Sequence, residues 1–404
     1  MLTFDFKTYM GSIITKEQFK KYLPRLQKIT NHMNRKLEML DWLDVSTSIT
    51  KEELERLKSL AQYTKSHCDL FIVIGIGGSY LGSKAVIDAI HPYFGSDGLH
   101  PEVIYLGTSL SSSYIKDLIG WIGDKDVIVN VISKSGNTLE PNIAFTLFQK
   151  YLRRRYGKEE LEHRLIITTD ETSGSLLEFA KKHHLNTLSI PKNIGGRFSI
   201  FTAAGLFPMA VAGIQIDSLL KGAKQGKNYL NEAYMYAMVR DILRKEGRQV
   251  ESFTVYEPKL AYFTEWLKQL MMETQGKNKK GLLTTSAINT RDLHSLGQYY
   301  QEGTDNLFET VIAIEKTTKV TVPQYEKTLD EINLIAAKAV ASAHKKGNTP
   351  SSMIIMDKLN EKNLGSLCYF FMMSAAIGAY LLGVDPFNQP GVEVYKKGIK
   401  RSLK

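Results

Sequence analysis

Ser133, Ser135 and Thr138 put three hydroxyls within six positions, in the stretch SKSGNT between the apolar run VIVNVIS and the long helical pattern LEPNIAFTLFQKYLRRRYG. One hydroxyl is enough to cap a helix. The surplus, together with the backbone N–H of Lys134 and the unpaired N–H groups of a helix start, makes a cage of donors suited to a phosphate dianion.

A second loop has similar means. GIGGSYLG, residues 75 to 82, follows the apolar run LFIVI and precedes the helical pattern SKAVIDAI. A dinucleotide fingerprint needs glycines at its first, third and sixth positions, and the sixth here is Tyr80. The acidic residue that would take a ribose is also missing, since VIYLG is followed by Thr108 and Ser109. Gly77 and Gly82 have the spacing of a nucleoside-triphosphate loop, but Ser83 comes next and the lysine arrives one place late, as Lys84. What remains is a short glycine nest, Gly77 and Gly78, with the hydroxyl of Ser79, sized for a sugar or a single phosphate. Two such loops without nucleotide features point to a phosphorylated sugar.

Four other residues have types that serve proton chemistry. Glu273 ends the helical pattern KLAYFTEWLKQLMMETQG, four residues after Gln269 and therefore on the same face. Arg197 follows two glycines in IGGRFS, His294 lies in TRDLHSLGQYYQEG, and Lys396 lies in NQPGVEVYKKG, seven positions after Gln389. Each also has an ordinary reading from its local pattern. Glu273 would be a surface glutamate, Arg197 a salt bridge at a turn, His294 a side chain satisfied by a turn carbonyl, and Lys396 a solvated terminal lysine.

The elements that must position these residues alternate. LFIVI, PEVIYLG, DVIVNVIS, HRLIITTD and LNTLSIP read as strands separated by helices, and ESFTVYEP, NLFETVIAIE and SSMIIMDK repeat the pattern later. Continuous apolar strands between helices predict parallel sheets covered on both faces, hence an α/β fold. The first seventy residues read as largely helical. The expected division is a helical segment at 1–65, a phosphate-binding domain at 66–215, a second domain at 216–385 and a helical tail at 386–404. The segment YFFMMSAAIGAYLLG is broken by Ser and Gly and reads as a central buried helix, not a membrane span.

The 404 residues are 43% hydrophobic and 23% charged, the balance of a globular chain able to build two or three domains. The N-terminal stretch MLTFDFKTYMGSIITKEQF has no secretory apolar core, so a cytoplasmic setting is expected. Cys68 and Cys368 are too far apart in sequence for a paired redox or metal motif and read as reduced, inert thiols. The net charge of +10 suits a phosphorylated substrate. Its basic residues are dispersed, with no aromatic-basic stripe, so neither nucleic acid nor membrane is an expected partner.

Taken together, GIGGSYLG, SKSGNTLEP, GGRFS, QLMMETQGK, DLHSLGQYYQEG and QPGVEVYK resemble, in order, the motifs of the glucose-6-phosphate isomerase family in its shorter bacterial form, from about residue 65 to the last helix. The resemblance implies two doubly wound parallel-sheet sugar-isomerase domains with flanking helices, working as a homodimer. It implies interconversion of glucose 6-phosphate and fructose 6-phosphate through a cis-enediolate, without metal or cofactor. Glu273 resembles the general base and Arg197 the stabiliser of the intermediate. His294 resembles a ring-opening histidine supplied by the neighbouring subunit, and Lys396 the lysine that relays a proton to the ring oxygen. Gln269 resembles a residue lining the phosphate site, and Gln389 another ligand contact. Two rival readings are a nicotinamide-dependent sugar-phosphate oxidoreductase, which the broken fingerprint disfavours, and a non-catalytic sugar-phosphate sensor, which the joint presence of the four proton-chemistry residues disfavours.

Overall fold

The structure is a computed structural model and describes residues 1–8, 15–35, 38–94 and 98–403. Its contacts divide the chain into two compact units, Glu38–Leu220 and a bipartite one, Met1–Leu37 with Lys221–Lys404. β1 (Leu2–Asp5) belongs to the bipartite unit.

In the 38–220 unit, β2 (Leu70–Ile74), β3 (Glu102–Leu106), β4 (Val127–Ile132), β5 (Leu165–Asp170) and β6 (Asn186–Ile190) form one parallel sheet in the order β3-β2-β4-β5-β6. β2, β4 and β5 are buried along their whole length, which is why they read as unbroken apolar runs. Ile72, Val129 and Ile167 of these strands pack with Phe148 and Leu152 of the Leu139–Tyr156 helix. The chain runs outward from β2 to β3 and then returns to β4 on the other side. That reversal puts a topological switch between β2 and β4, where ligands gather beyond the carboxyl ends of the strands.

The bipartite unit repeats the plan. β7 (Val250–Val255), β8 (Leu283–Ile288), β9 (Leu307–Lys316) and β12 (Ser351–Lys358) pair in parallel in the order β12-β9-β7-β8. A two-stranded ribbon, β10 (Thr321–Val322) with β11 (Lys327–Thr328), lies between β9 and β12 in sequence. β1 closes the sheet antiparallel to β12, with Leu2 opposite Met356. The helix Glu361–Leu382 is long and apolar enough to span a bilayer, yet 94% of its most apolar window is buried, as expected of a central core helix. Both cysteines are buried and unpaired, and burial pushes the Cys68 thiol up to about 12.

One buried polar network in this unit is centred on Arg240 and Glu251. The Arg240 guanidinium meets Glu251 at 2.7 Å and donates to Gln275 Oε1 at 2.7 Å, while Gln275 Nε2 donates to the Ala375 carbonyl at 3.0 Å. The second oxygen of Glu251 accepts from Tyr236 at 2.5 Å and Thr310 at 2.9 Å. A buried ion pair is tolerable only when its remaining donors and acceptors are met in this way. The network ties the end of the Ala261–Gln275 helix to β7, β9 and the central helix.

Two expectations need correction. The stretch LTFD, inside the segment expected to be helical, is β1, and the first 65 residues do not form one segment. Residues up to Leu37 join the bipartite unit, where β1 pairs with β12 and Tyr22 donates to Asp241 at 2.7 Å. Residues from Glu38 join the other unit, where Trp42 stacks on Phe198 at 4.8 Å and Glu53 accepts from the Ser189 backbone at 2.8 Å. Side-chain contacts far along the sequence, not local helical pattern, decide the division.

Asp241 gives a stability test. Burial acts to raise its carboxyl, but Lys245, Tyr22 and Arg244 outweigh that and hold it below its usual value. A depressed carboxyl contributes stability that is fully present above its unfolded value of about 4 and is lost as pH falls through the lower folded value. Asp241→Asn should cost about 2 kcal/mol at pH 7. Denaturant titrations of both proteins should show that gap closing as the pH is taken well below about 4.

Candidate active site

The two hydroxyl loops leave adjacent strands. The turn Gly77–Ser79 follows β2, and residues 133 to 138 follow β4, so both lie at the switch in the sheet order. Gly78 is required by a close approach. A Cβ there would stand 2.0 Å from the Gly196 carbonyl oxygen and 2.9 Å from the Arg197 nitrogen, so the GIGGS and GGRFS loops touch backbone to backbone. Ser199 Oγ, donating to the Gly196 carbonyl at 2.7 Å, stiffens the second of them.

The loop after β4 is folded by its own side chains. Ser133 Oγ accepts from the Gly136 N–H at 3.1 Å, and Ser135 Oγ accepts from the Asn137 N–H at 3.3 Å. Gly136 has a φ of 66°, a left-handed conformation that favours glycine, and Asn142 Nδ2 donates to its carbonyl at 3.0 Å. Each serine hydroxyl keeps its own proton to donate. Thr138 is the N-cap of the Leu139–Tyr156 helix, but its hydroxyl makes no capping bond. The surplus hydroxyls expected from the sequence are therefore arranged at a helix amino end, where a dianion is favoured.

Lys134 does something the sequence did not disclose. Its ammonium turns into the protein, donating to the Lys192 carbonyl at 2.5 Å and the Ile194 carbonyl at 2.9 Å. Burial pulls this lysine below its usual value, opposed by Asp170 and Glu171. The side chain thus straps the loop after β4 to the segment leading into Arg197, leaving the backbone N–H as the group of Lys134 suited to a ligand. Arg197 itself is only 2% exposed, with its guanidinium 5.8 Å from the Phe198 ring that Trp42 stacks upon. It is a buried cation and not a solvated surface side chain.

In the bipartite unit, three of the expected residues meet. Gln269 Nε2 lies 3.4 Å from Glu273 Oε1, and Gln389 Nε2, 116 positions further on, donates to Glu273 Oε2 at 3.2 Å. Glu273 and both glutamines are half-buried. Gln269 Oε1 is buried and has no hydrogen-bond partner among the described residues, which leaves an acceptor beside the carboxylate.

Two expected residues lie elsewhere. His294 is exposed in the first turn of the Leu293–Glu302 helix, just beyond the carboxyl end of β8. Glu273 lies near the opposite edge of that sheet, because its helix runs back against β7 and delivers the chain to the start of β8. A six-residue strand, about 20 Å long, separates those edges. Lys396 is on the exposed helix Pro390–Ser402 and pairs with Glu393 at 3.1 Å. Among the described residues no cluster of three or more His, Cys, Asp or Glu is arranged to hold a metal ion.

Lys277 was missed by the sequence reading although it stands inside a quoted motif. It donates to the Thr274 carbonyl at 3.0 Å and the Asp385 carbonyl at 2.5 Å. The available signal was a lysine just beyond the glycine that ends a helix, where orphan carbonyls attract cations.

Several known proteins resemble this chain in sequence or in fold. The family model described as phosphoglucose isomerase matches residues 44–305. A glucose-6-phosphate isomerase of Clostridioides difficile (strain 630) is 44% identical over 89% of this chain and 86% of its own. One of Bacillus thuringiensis (strain Al Hakam) is 40% identical over 98% of this chain and 94% of its own. Among solved structures, a hypothetical protein of Thermus thermophilus superposes over the full length of both chains with a TM-score of 0.87 at 27% identity. A glucose-6-phosphate isomerase of Chlamydia trachomatis gives 0.81 at 20% identity, covering 98% of this chain and 92% of that one, a likeness of fold. With its ordered motifs and a family match spanning well over half its length, the chain belongs to the phosphoglucose isomerase family.

Proposed function

We propose that this protein interconverts D-glucose 6-phosphate and D-fructose 6-phosphate by ring opening and proton transfer through a cis-enediolate. The observation that carries the residue roles is the Glu273 carboxylate, aimed by amide donors from Gln269 and Gln389. A base that serves two neighbouring carbons has to be held in one orientation, and oriented groups account for much of the rate in such reactions.

The phosphate is taken by the hydroxyls of Ser79, Ser133, Ser135 and Thr138, with the Lys134 N–H and the Gly77–Gly78 backbone. His294 and Lys396 open the cyclic sugar. Glu273 removes the proton from C2 of the open aldose, giving an enediolate whose charge Arg197 stabilises, since a guanidinium keeps its protons at neutral pH. The carboxyl then returns the proton to C1, while the hydroxyl proton passes from O2 to O1, leaving the ketose. Gln269 Oε1 accepts from a sugar hydroxyl.

The opposite-edge placement of His294 and Glu273 supports a homodimer in which the histidine serves a neighbouring copy's sugar. A strand length of about 20 Å is too far for two side chains of one chain to share a pair of carbons. A doubly charged sugar phosphate does not cross a bilayer unaided, which supports a cytoplasmic setting.

Protein incubated with fructose 6-phosphate in heavy water should yield glucose 6-phosphate carrying deuterium at C2. Binding without conversion would instead leave a sugar-phosphate sensor. Glu273→Gln should keep sugar-phosphate binding, measured by calorimetry, while turnover falls about 10² to 10⁴-fold. Near-normal turnover would remove Glu273 from the role of base. Thr138→Val deletes a hydroxyl donor to the dianion and should raise KM about tenfold or more with a smaller change in kcat.

A further inference from the structure

The turn after the Ala261–Gln275 helix holds two lysines that no step of this reaction uses. Lys277 Nζ donates to the Thr274 carbonyl at 3.0 Å and to the Asp385 carbonyl at 2.5 Å. Lys280 Nζ donates to the Leu382 carbonyl at 2.9 Å. The first carbonyl belongs to the last turn of the helix that carries Glu273. The second begins the stretch of residues 385–389, whose final side chain reaches the Glu273 carboxylate at 3.2 Å.

Electrostatics explains why cations are needed there. The carbonyls of a helix's last turn have no partners within the helix and carry a partial negative charge. Here the ends of two helices, Ala261–Gln275 and Glu361–Leu382, are bonded to lysines of the same short turn. Glu273 adds a carboxylate to the same last turn. Half-buried Lys277 answers this charge from one point and joins the two backbones.

The link is short. Beyond Gly383, which caps the central helix at a φ of 68°, the chain turns, with Asp385 Oδ1 accepting from the Phe387 N–H at 2.8 Å. Four residues then lead from the Asp385 carbonyl held by Lys277 to Gln389. A shift of that carbonyl therefore moves the amide that orients the carboxylate. Misplacement of a reacting group by about 1 Å can cost about 10²-fold in rate.

We infer that Lys277 is a positioning residue for proton transfer: by fastening the Asp385 carbonyl to the end of the Ala261–Gln275 helix, it sets the Gln389 amide on Glu273. The inference rests on the reading of Glu273 as the base. Lys280, whose ammonium bonds the Leu382 carbonyl at the end of the central helix and not the Asp385 carbonyl, serves as the comparison.

The test uses the full-length protein with Lys277→Met, Lys277→Arg, Lys280→Met, Gln389→Ala and the Lys277→Met/Gln389→Ala double variant. Lys277→Met should lower kcat by about 10 to 100-fold with little change in KM. The primary isotope effect with C2-deuterated glucose 6-phosphate should rise, because proton transfer becomes the slow step. Lys277→Arg, which keeps a donor for both carbonyls, should recover most of the loss. If Lys277 acts through Gln389, the double variant should be no slower than the slower single one. Multiplying losses in the double variant, or an unchanged isotope effect, would overturn the inference. So would equal kcat losses in Lys277→Met and Lys280→Met that follow their melting temperatures. Full turnover in Glu273→Gln is a different failure, which removes the base, since the coupling between Lys277 and Gln389 is measured independently of it.

Discussion

A carboxylate in the last turn of a helix stands at the negative end of the macrodipole, and the bipartite unit is arranged to hold one there. Glu273 is two residues from Gln275, and Gln275 is clamped on one side by Arg240 and on the other by the Ala375 carbonyl. Gly378 lets the central helix come this close, since a Cβ there would stand 2.4 Å from Gln275 Nε2. The helix end is thus fixed by a buried network that begins with Arg240 and Glu251, and the carboxylate is fixed upon it by Gln269 and Gln389. Charge at an awkward place is made usable by surrounding it with donors whose own positions are determined.

In the proposed reaction the 38–220 unit has the opposite task, to receive a charge that arrives from outside. Its loops leave adjacent strands at the sheet's switch, and a helix amino end supplies favourable N–H groups at no further cost. Precision comes from small contacts. Gly78 lies against Gly196, Lys134 reaches across to the carbonyls of Lys192 and Ile194, and the Trp42–Phe198 stack packs beside Arg197. None of these groups needs to touch a substrate to decide where Arg197 and the hydroxyls stand.

Much of the architecture was legible because buried parallel strands announce themselves. LFIVI, VIVNVI and LIITTD carry few polar residues and appear as β2, β4 and β5. β8 was missed because LTTSAI is half hydroxyl-bearing and half-exposed, and β1 because four residues are too few to establish alternation. The hydroxyl loops, Glu273 and Arg197 were legible as types and spacings, and the family resemblance gave them roles. Their supports were not. Lys277 meets Asp385 across 108 positions and Gln389 meets Glu273 across 116, and no local pattern encodes such a meeting. Glu251 and Glu309 lie within the strand patterns ESFTVYEP and NLFETVIAIE, and nothing local announces that both are buried with Arg240 and His344 against them.

The same strand order is used twice, but it does not place the chemistry twice in the same way. In the 38–220 unit the hydroxyl loops lie at the carboxyl edge, where the rule for open parallel sheets expects a ligand. In the bipartite unit that edge carries His294, while Glu273 lies near the amino edge at the far end of a crossover helix. The rule follows from helix amino ends and their unpaired N–H groups, so it governs where an anion is welcome. The proposed base has no use for that field, because a positive potential lowers the basicity with which a carboxylate takes a carbon proton. Placing Glu273 at a helix carboxyl end avoids that loss. The cost is a like-signed environment, which is why the neutral amides of Gln269 and Gln389 orient the carboxylate while Lys277 meets the helix carbonyls.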